Sequence, residues 1–260
     1  MRETYWLGEE LGRAMRPWHE LDEFWEAFEP TLFAQEHWSA APIEVNGIIS
    51  LLQLQLGMSI LDLCCGPKRH SLELARRGFH VTGVDRTRRY LDRAATQAER
   101  EGLQIEFVHE DMRNFCGPNT FDAVLNLYTS FGYFEDPQED CQVAMNISRS
   151  LKPGGVVVME MMGKEVLARV FQERSWHEED GVLILEERKL SNGWSWIENR
   201  WILFKDGKRI EHTVSLRLYS AAELTSLLAT CGFARAEVYG DLAGSAYDHT
   251  AKRLVVVGHK

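Results

Sequence analysis

Ser59-Ile-Leu-Asp-Leu-Cys-Cys-Gly-Pro-Lys-Arg-His-Ser-Leu-Glu-Leu-Ala-Arg-Arg-Gly-Phe-His-Val-Thr-Gly-Val-Asp85 decides how this chain folds. A short apolar run ends at an acid, Asp62. A Cys/Gly/Pro turn follows. Leu72, Ala75 and Arg76 recur at helical spacing over Arg69 to Arg77, and Gly78 stops the pattern. A second apolar run, Phe79 to Val84, ends at another acid, Asp85. The order strand, glycine turn, helix, strand is one βαβ unit with acids at the carboxyl ends of its strands. Ligands of open α/β sheets bind at that edge.

Four more pieces lie downstream in sensible order: Val81-Thr-Gly-Val-Asp85, Glu110-Asp-Met-Arg113, Phe121-Asp-Ala-Val-Leu-Asn126 and Leu151-Lys-Pro-Gly-Gly155. With Leu61-Asp-Leu-Cys-Cys-Gly-Pro-Lys-Arg-His70, they resemble the class I S-adenosylmethionine-dependent methyltransferases of the bacterial small-molecule type. That family usually reads Asp-Leu-Gly-Cys-Gly-Thr-Gly-Arg at the first piece. Any one piece is weak; five in order are specific. Two of the family's three turn glycines are replaced here, by Cys64 and Lys68. A Lys brings a Cβ and a charge to a place that serves close backbone approach. Lys68 could block the cofactor, grip its carboxylate, or point to solvent.

The 260 residues suit one α/β domain with an elaboration and a core large enough to stand without disulfides. A net charge of -10 makes nucleic acid and anionic lipid poor partners. Five Cys, two of them adjacent, make no disulfide framework, and no Cys/His spacing reads as a metal site. The amino terminus has no signal-peptide pattern and no run approaches a membrane span, so the expected compartment is the cytoplasm.

The expected fold class is α/β: a Rossmann-like seven-stranded sheet with helices on both faces, an amino-terminal helical cap and an inserted antiparallel β lid. Residues 1–57 form the cap, 58–162 the cofactor-binding core, 163–219 the lid, and 220–260 complete the sheet. In the cap, Leu21, Phe24, Trp25, Phe28, Leu32 and Phe33 make a helical stripe, and a second helix spans about Pro42 to Leu56. Such stripes usually pack as core. The resemblance adds that Tyr5, Trp6 and Trp38 could cover the cofactor, where an aromatic face suits a sulfonium.

Thr87 to Arg100 reads as a helix with Thr87 as its cap, and Asp136 to Leu151 as another. From Gly181 to Tyr219 the period becomes two. Val182–Leu190, Trp194–Phe204 and Arg209–Tyr219 read as three antiparallel strands, with Asn192-Gly193 and Asp206-Gly207 as two-residue hairpin signals. Phe204 then faces Arg209, Trp196 faces Arg217 and Trp194 faces Tyr219. One lid face carries Ile197, Trp201, Leu203, Ile210, Val214, Leu216 and Leu218; the other carries Glu198, Arg200, Glu211 and Thr213 together with Trp194, Trp196, Arg217 and Tyr219. The expectation is that the apolar face packs while the polar face meets the substrate or solvent. Ser220 and Glu223 form a capping box for the next helix. The resemblance implies that the last strand inserts antiparallel.

The resemblance also assigns roles. Asp62 and the turn from Cys64 to Gly66 would hold the methionine part of S-adenosylmethionine, which leaves as S-adenosylhomocysteine. Asp85 would accept both ribose hydroxyls, and Arg86 would lie along the adenine. Asp111 would take the adenine amino group and the Met112 backbone a ring nitrogen. Asn126 and Leu127 would reach the methionine backbone or the methyl. Alone, each acid could be a helix or turn cap. Candidate pocket residues for a small-molecule substrate are Tyr128, Tyr133, Arg217, Tyr219 and Tyr247, with His109 and His249; no catalytic base is assignable. Two readings compete: a degenerate binding relative, motivated by Lys68, and a nicotinamide dehydrogenase, disfavoured because the turn lacks Gly-x-Gly-x-x-Gly.

Overall fold

The computed structural model describes residues 16–179 and 181–260. Tyr5 and Trp6 lie outside the described residues. Behind a short turn at Trp18–Glu20 come α1 (Asp22–Leu32) and α2 (Gln35–Leu52). The core follows as β1 (Ser59–Leu63), α3 (Arg69–Arg76), β2 (His80–Asp85), α4 (Arg88–Glu101), β3 (Ile105–His109), β4 (Phe121–Asn126), α5 (Pro137–Ser150) and β5 (Leu151–Met161). Then come α6 (Lys164–Val170) and four lid strands: β6 (Arg174–Glu179), β7 (Val182–Ser191), β8 (Trp196–Lys205) and β9 (Lys208–Arg217). The chain closes with α7 (Ala221–Thr230), β10 (Arg235–Tyr239) and β11 (Leu254–His259).

The main sheet has seven strands in the order β10-β11-β5-β4-β1-β2-β3. β11 runs antiparallel to both neighbours, and the pairs from β5 to β3 are parallel. Alternate residues of the central strands face opposite ways. Leu61, Leu63, Val124, Val157 and Met159 pack beneath α5 and α7, while Ile60, Ala123, Leu125 and Val158 pack beneath α2 and α3. A parallel sheet covered on both faces reads as continuous apolar runs for this reason. Strand order reverses between β1 and β4, so a crevice opens where their carboxyl ends diverge.

Several local expectations are corrected. The second cap helix begins at Gln35, with Pro42 inside it, not at Pro42. Thr87 precedes α4 but its side chain makes no cap bond. The lid has four strands, not three. Asp206-Gly207 is the two-residue turn, with φ of 48° and 72° and Lys205 paired to Lys208. Asn192-Gly193 is not: Ser191 pairs with Trp196, so four residues make that loop. Trp194 sits in it with φ 68° and does not face Tyr219. The pairs Phe204–Arg209 and Trp196–Arg217 form as read from the sequence. The capping box at Ser220 and Glu223 is present.

The apolar lid face lies over α1. Phe24 and Phe28, both fully buried, pack with Val182, Ile184, Leu203 and Val214. Burial of each such ring contributes about 1.5–3 kcal/mol. The Trp18 indole N–H donates to the Ser215 carbonyl at 2.7 Å, which fixes the chain entering α1 to β9. At its other end the lid is locked to α5. The Tyr219 hydroxyl and the Arg217 guanidinium both donate to the buried Asp140 carboxylate, at 2.7 and 3.1 Å.

Candidate active site

A cavity of about 360 Å³ opens at the carboxyl ends of β1, β2 and β4. Its floor is the turn after β1. Cys64, Gly66 and Lys68 all adopt left-handed backbone, with φ of 62°, 53° and 82°. These are the three alternate positions at which the resembled motif carries glycine. The turn keeps its shape with two non-glycine residues, at a strain of about 1–2 kcal/mol each. The Phe33 ring lies on the turn, only 3.3 Å from where a Cβ on Gly66 would stand.

Lys68 resolves the question raised by its sequence position. Its ammonium donates to the Arg93 carbonyl of α4, and the side chain does not line the cavity. Burial, then the neighbouring Arg93, lowers its pKa to about 8. The next residue turns inward. Arg69, at the first position of α3, is 5% exposed and borders the cavity. Among the described residues its guanidinium has no carboxylate within 4.0 Å and makes no hydrogen bond; Nε is buried without a partner. It lies over the Tyr128 ring, 3.7 Å from the centroid.

Two acids stand on adjacent paired strands at this edge. Buried Asp62 accepts from the Ser71 hydroxyl at 2.5 Å, and burial raises its carboxyl pKa against the opposing pull of His70 and Ser71. The Asp85 oxygens accept the Gly66 and Thr87 backbone N–H groups, both at 2.8 Å. Burial raises Asp85 as well, against those two bonds. Each oxygen keeps a lone pair for a further donor. Burial pushes the Cys64 and Cys65 thiols well up, followed by nearby Asp85 and Asp62 respectively, so neither is a thiolate nucleophile.

Asp111 and Met112 form the far wall. Burial opposes ionisation of Asp111, but bonds from Arg113 win and lower its pKa; Nε and Nη2 donate at 3.0 and 2.7 Å. Arg86 borders the cavity and ties down the entry to α1, donating to the carbonyls of His19 and Glu20.

The loop Tyr128-Thr-Ser-Phe-Gly-Tyr-Phe134 closes the opposite end. Tyr128 and Thr129 are consecutive left-handed residues, with φ of 56° and 60°. Such strain persists only where surroundings over-determine it. Here Glu160 accepts the Tyr128 N–H at 2.7 Å, and Arg253 donates to the Thr129 hydroxyl at 2.9 Å. The Tyr128 hydroxyl donates to Glu44, which also holds His70 Nε2 at 2.7 Å. Burial and the Glu44 bond push the Tyr128 phenol above its usual range.

The cavity brings together Asp62, Cys64, Gly66, Asp85, Arg86, Asp111, Met112, Leu127, Tyr128 and Tyr133. Asn126 is fully buried beneath the floor: its Nδ2 donates to the Leu63 and Ser130 carbonyls at 3.4 and 3.2 Å. Arg217 and Tyr219 lie outside the cavity, spent on Asp140. Tyr247 also lies outside, its hydroxyl donating to Glu165 at 2.9 Å. His109, His249 and Trp38 do not border it either. Of the two outcomes left open for the polar lid face, substrate or solvent, it meets solvent, and the apolar face packs but also lines the site. Asn199, Trp201, Val214 and Leu216 of the apolar face border the cavity, while Arg200, Glu187 and Glu211 pair on the opposite face.

Sequence reasoning missed Arg69, His37, Asn199 and Trp201. Arg69 had a signal, because it ends the motif already quoted; the others depend on long-range packing. His37 Nδ1 lies 3.0 Å from the Leu32 carbonyl. A carbonyl only accepts, so Nδ1 carries the proton in the neutral ring and Nε2 keeps its lone pair. Among the described residues no group of three or more His, Cys, Asp or Glu could hold a metal ion. No described helix is long and apolar enough to cross a membrane.

Residues 60–155 match the profile of a methyltransferase domain. The chain is 28% identical over 207 residues to a putative methyltransferase, YqeM, of Bacillus subtilis, covering 77% of this chain and 83% of that one. Its fold matches an S-adenosylmethionine-dependent methyltransferase from Clostridium acetobutylicum with a TM-score of 0.75 at 17% identity, over 92% of this chain and 98% of that one. It also matches the sugar N-methyltransferase KedS8 of a Streptoalloteichus species with a TM-score of 0.64 at 21% identity, over 100% and 98%. Domain match, relatives and sheet topology together support a class I S-adenosylmethionine-dependent methyltransferase.

Proposed function

We propose that this enzyme methylates a small, partly apolar molecule held between the loop after β4 and the β lid. The observation that carries the reading is Arg69, a buried cation at the cavity that no carboxylate of the described residues approaches within 4.0 Å, although Asp62 and Glu44 lie near enough to feel its charge. A guanidinium so placed calls for an anion. The methionine carboxylate of S-adenosylmethionine supplies one, and Asp62 on β1 suits its ammonium. Asp85 suits the ribose hydroxyls, because a carboxylate presents two acceptor oxygens. Met112 and Arg86 suit the adenine, with Asp111 at its edge. The Lys68 side chain leaves this space open, which argues against the degenerate reading.

The cofactor supplies an electrophilic methyl on a sulfonium, attacked in line by the acceptor. The chain's own work is to align and to exclude water. The fixed Tyr128–Thr129 turn and the aromatic lining do both. His37 borders the cavity, and Nε2 of its neutral ring has the lone pair to take a proton from an N–H or O–H acceptor; its ring lies 5.4 Å from that of Tyr128. The small-molecule reading is supported by the cavity's size, by the aromatic side chains in its lining, among them Trp18, Trp25, Tyr128 and Tyr133, and by the likeness to KedS8.

Calorimetric titration with S-adenosylhomocysteine and with NAD, followed by a metabolite screen with mass-spectrometric readout, tests this. Binding of the nucleoside but not NAD, with a product heavier by one methylene, is the expected result. Binding of NAD alone would overturn it.

A further inference from the structure

Arg113 stands behind the wall assigned to the adenine. It does not border the cavity, but Asp111, two residues earlier, does. The two side chains meet as a fork: Arg113 Nε donates to Asp111 Oδ1 at 3.0 Å and Nη2 to Oδ2 at 2.7 Å. The Arg113 backbone N–H adds a second bond to Oδ1 at 2.8 Å. An ionised carboxylate oxygen has about two lone-pair sites. Oδ1 has spent both, and Oδ2 keeps one. The Asp111 side chain is 17% exposed, so the group is not sealed in protein.

Arg113 is itself held from three sides. Nη1 donates to Glu139 of α5 and Nη2 also to Glu20 of the turn before α1, both at 2.8 Å. The guanidinium carbon lies 4.7 Å from the centroid of the Phe134 ring, on the loop after β4. A fork fixed at its far end fixes the carboxylate it grips.

We propose that Arg113 is a positioning residue that aims Asp111 Oδ2 at the 6-position of the cofactor's purine, and so selects a 6-amino group over a 6-oxo group. The inference rests on the cofactor site argued above and adds to it the residue that sets base selectivity. An amino group donates to the remaining lone pair. A 6-oxo group only accepts, and meets a carboxylate that also only accepts.

The charge of Arg113 matters as much as its shape. Burial is the largest influence on Asp111 and pushes its pKa up; the Arg113 bonds overcome it. Without the guanidinium, burial wins, and the carboxyl takes a proton as pH falls. A protonated carboxyl donates to a 6-oxo group, so selectivity then fades with acid. Around the pair stand His19 and Glu20 on the turn before α1, Glu110 beside Asp111, Cys64 after β1, Arg86 after β2 and Glu139 on α5. Burial pushes the Cys64 thiol well up, out of this pH range. The His19 imidazole, lowered by burial and then by Arg113, is the neighbour whose titration has to be removed.

The test compares S-adenosylhomocysteine with S-inosylhomocysteine, which differs at the purine 6-position and in the N1 proton that goes with it, by calorimetric titration of the full-length protein. The wild type prefers the 6-amino nucleoside by about tenfold to 100-fold, the worth of one bond to an ionised group. Arg113→Met cuts that preference at least about fivefold; any loss common to both nucleosides cancels in the ratio. Glu139→Gln removes another partner of Arg113 but leaves the Asp111 fork, and keeps the preference within about twofold. The pH series uses His19→Asn and the double variant His19→Asn, Arg113→Met. Between about pH 8 and about pH 5.5 the preference stays level in the first and falls in the second. Should Arg113→Met not fold, Arg113→Gln replaces it.

No preference in the wild type, a smaller cut in Arg113→Met, an equal cut in Glu139→Gln, or a level pH series in the double variant overturns the proposal. If S-adenosylhomocysteine does not bind at all, the cofactor reading fails and takes this proposal with it. Binding with an unchanged preference defeats this proposal alone.

Discussion

Arg69→Met separates folding from function at one residue, because it moves stability and affinity in opposite directions. The wild-type guanidinium is 5% exposed, makes no ion pair or hydrogen bond among the described residues, and leans on the Tyr128 ring at 3.7 Å. Burying a charge costs several kcal/mol, and a desolvated cation–π contact returns about 2 kcal/mol of that. Met fills a similar volume without the charge, so the ligand-free variant gains stability, by about 1 kcal/mol on these magnitudes. For the ligand the sign reverses. Two unit charges about 4 Å apart at an effective dielectric of about 20 attract by about 4 kcal/mol, of which desolvation of the carboxylate takes back part. A net loss near 2.7 kcal/mol is about 100-fold in Kd. Calorimetry with S-adenosylhomocysteine reads that loss. 5′-Methylthioadenosine, which lacks the amino-acid end, is the control and keeps its affinity within about twofold. Equal losses for the two nucleosides, or none for either, would refute the assignment of Arg69 to the carboxylate.

Asp85→Asn halves the acceptor oxygens at the carboxyl end of β2 and weakens both nucleosides by about 30–100-fold in the same titration, because charge-assisted bonds are the strong ones. Lys68→Gly relieves left-handed strain of about 1 kcal/mol and loses one bond to the Arg93 carbonyl, so S-adenosylhomocysteine affinity stays within about twofold and stability within about 1 kcal/mol. A large gain in affinity would revive the degenerate reading. Burial raises the fully buried Asp140 carboxyl to about 6 despite Tyr219 and Arg217. With a folded pKa above the unfolded value near 3.8, the native state holds the proton longer. Its contribution is therefore greatest below about pH 4 and falls by about 3 kcal/mol as pH rises through 6. Urea denaturation at pH 4 and pH 7 reads this as a difference that Asp140→Asn removes; an unchanged difference counts against it. Once an acceptor is in hand, His37→Gln lowers kcat about 100-fold with KM for S-adenosylmethionine unchanged, and a change confined to KM would remove His37 from proton transfer.

The share of the apolar lid face that borders the cavity is the most instructive departure. Period-two alternation over Trp196 to Arg217 places side chains correctly on two faces, and the register at Asp206-Gly207 follows from the turn. Alternation says which residues share a face, not what that face meets. The natural guess is that polar residues meet a substrate. In the folded chain Phe24 and Phe28 of α1 claim part of the apolar face, and what they leave uncovered becomes the cavity wall. Arg217 and Tyr219 misled for a related reason: Asp140, far away in sequence, captures both.

The βαβ core was legible because its signals are local. An apolar run, a tight turn and an acid at a strand end are set by neighbouring residues, and the positions of Asp62, Asp85 and Asp111 follow from strand lengths alone. The left-handed turn at Cys64, Gly66 and Lys68 is local too, and its backbone survives the loss of two glycines. Where the Lys68 and Arg69 side chains go is not local. One finds a carbonyl on α4 and the other a cavity beside Tyr128, since Lys68 is the left-handed residue before the helix and Arg69 its first helical one, so the two side chains leave the backbone in different directions. The sequence by itself determined the sheet and the acids at its edge. Only tertiary packing, which brings α1, the loop after β4 and the lid over that edge, decided which cation, which imidazole and which lid face border the site.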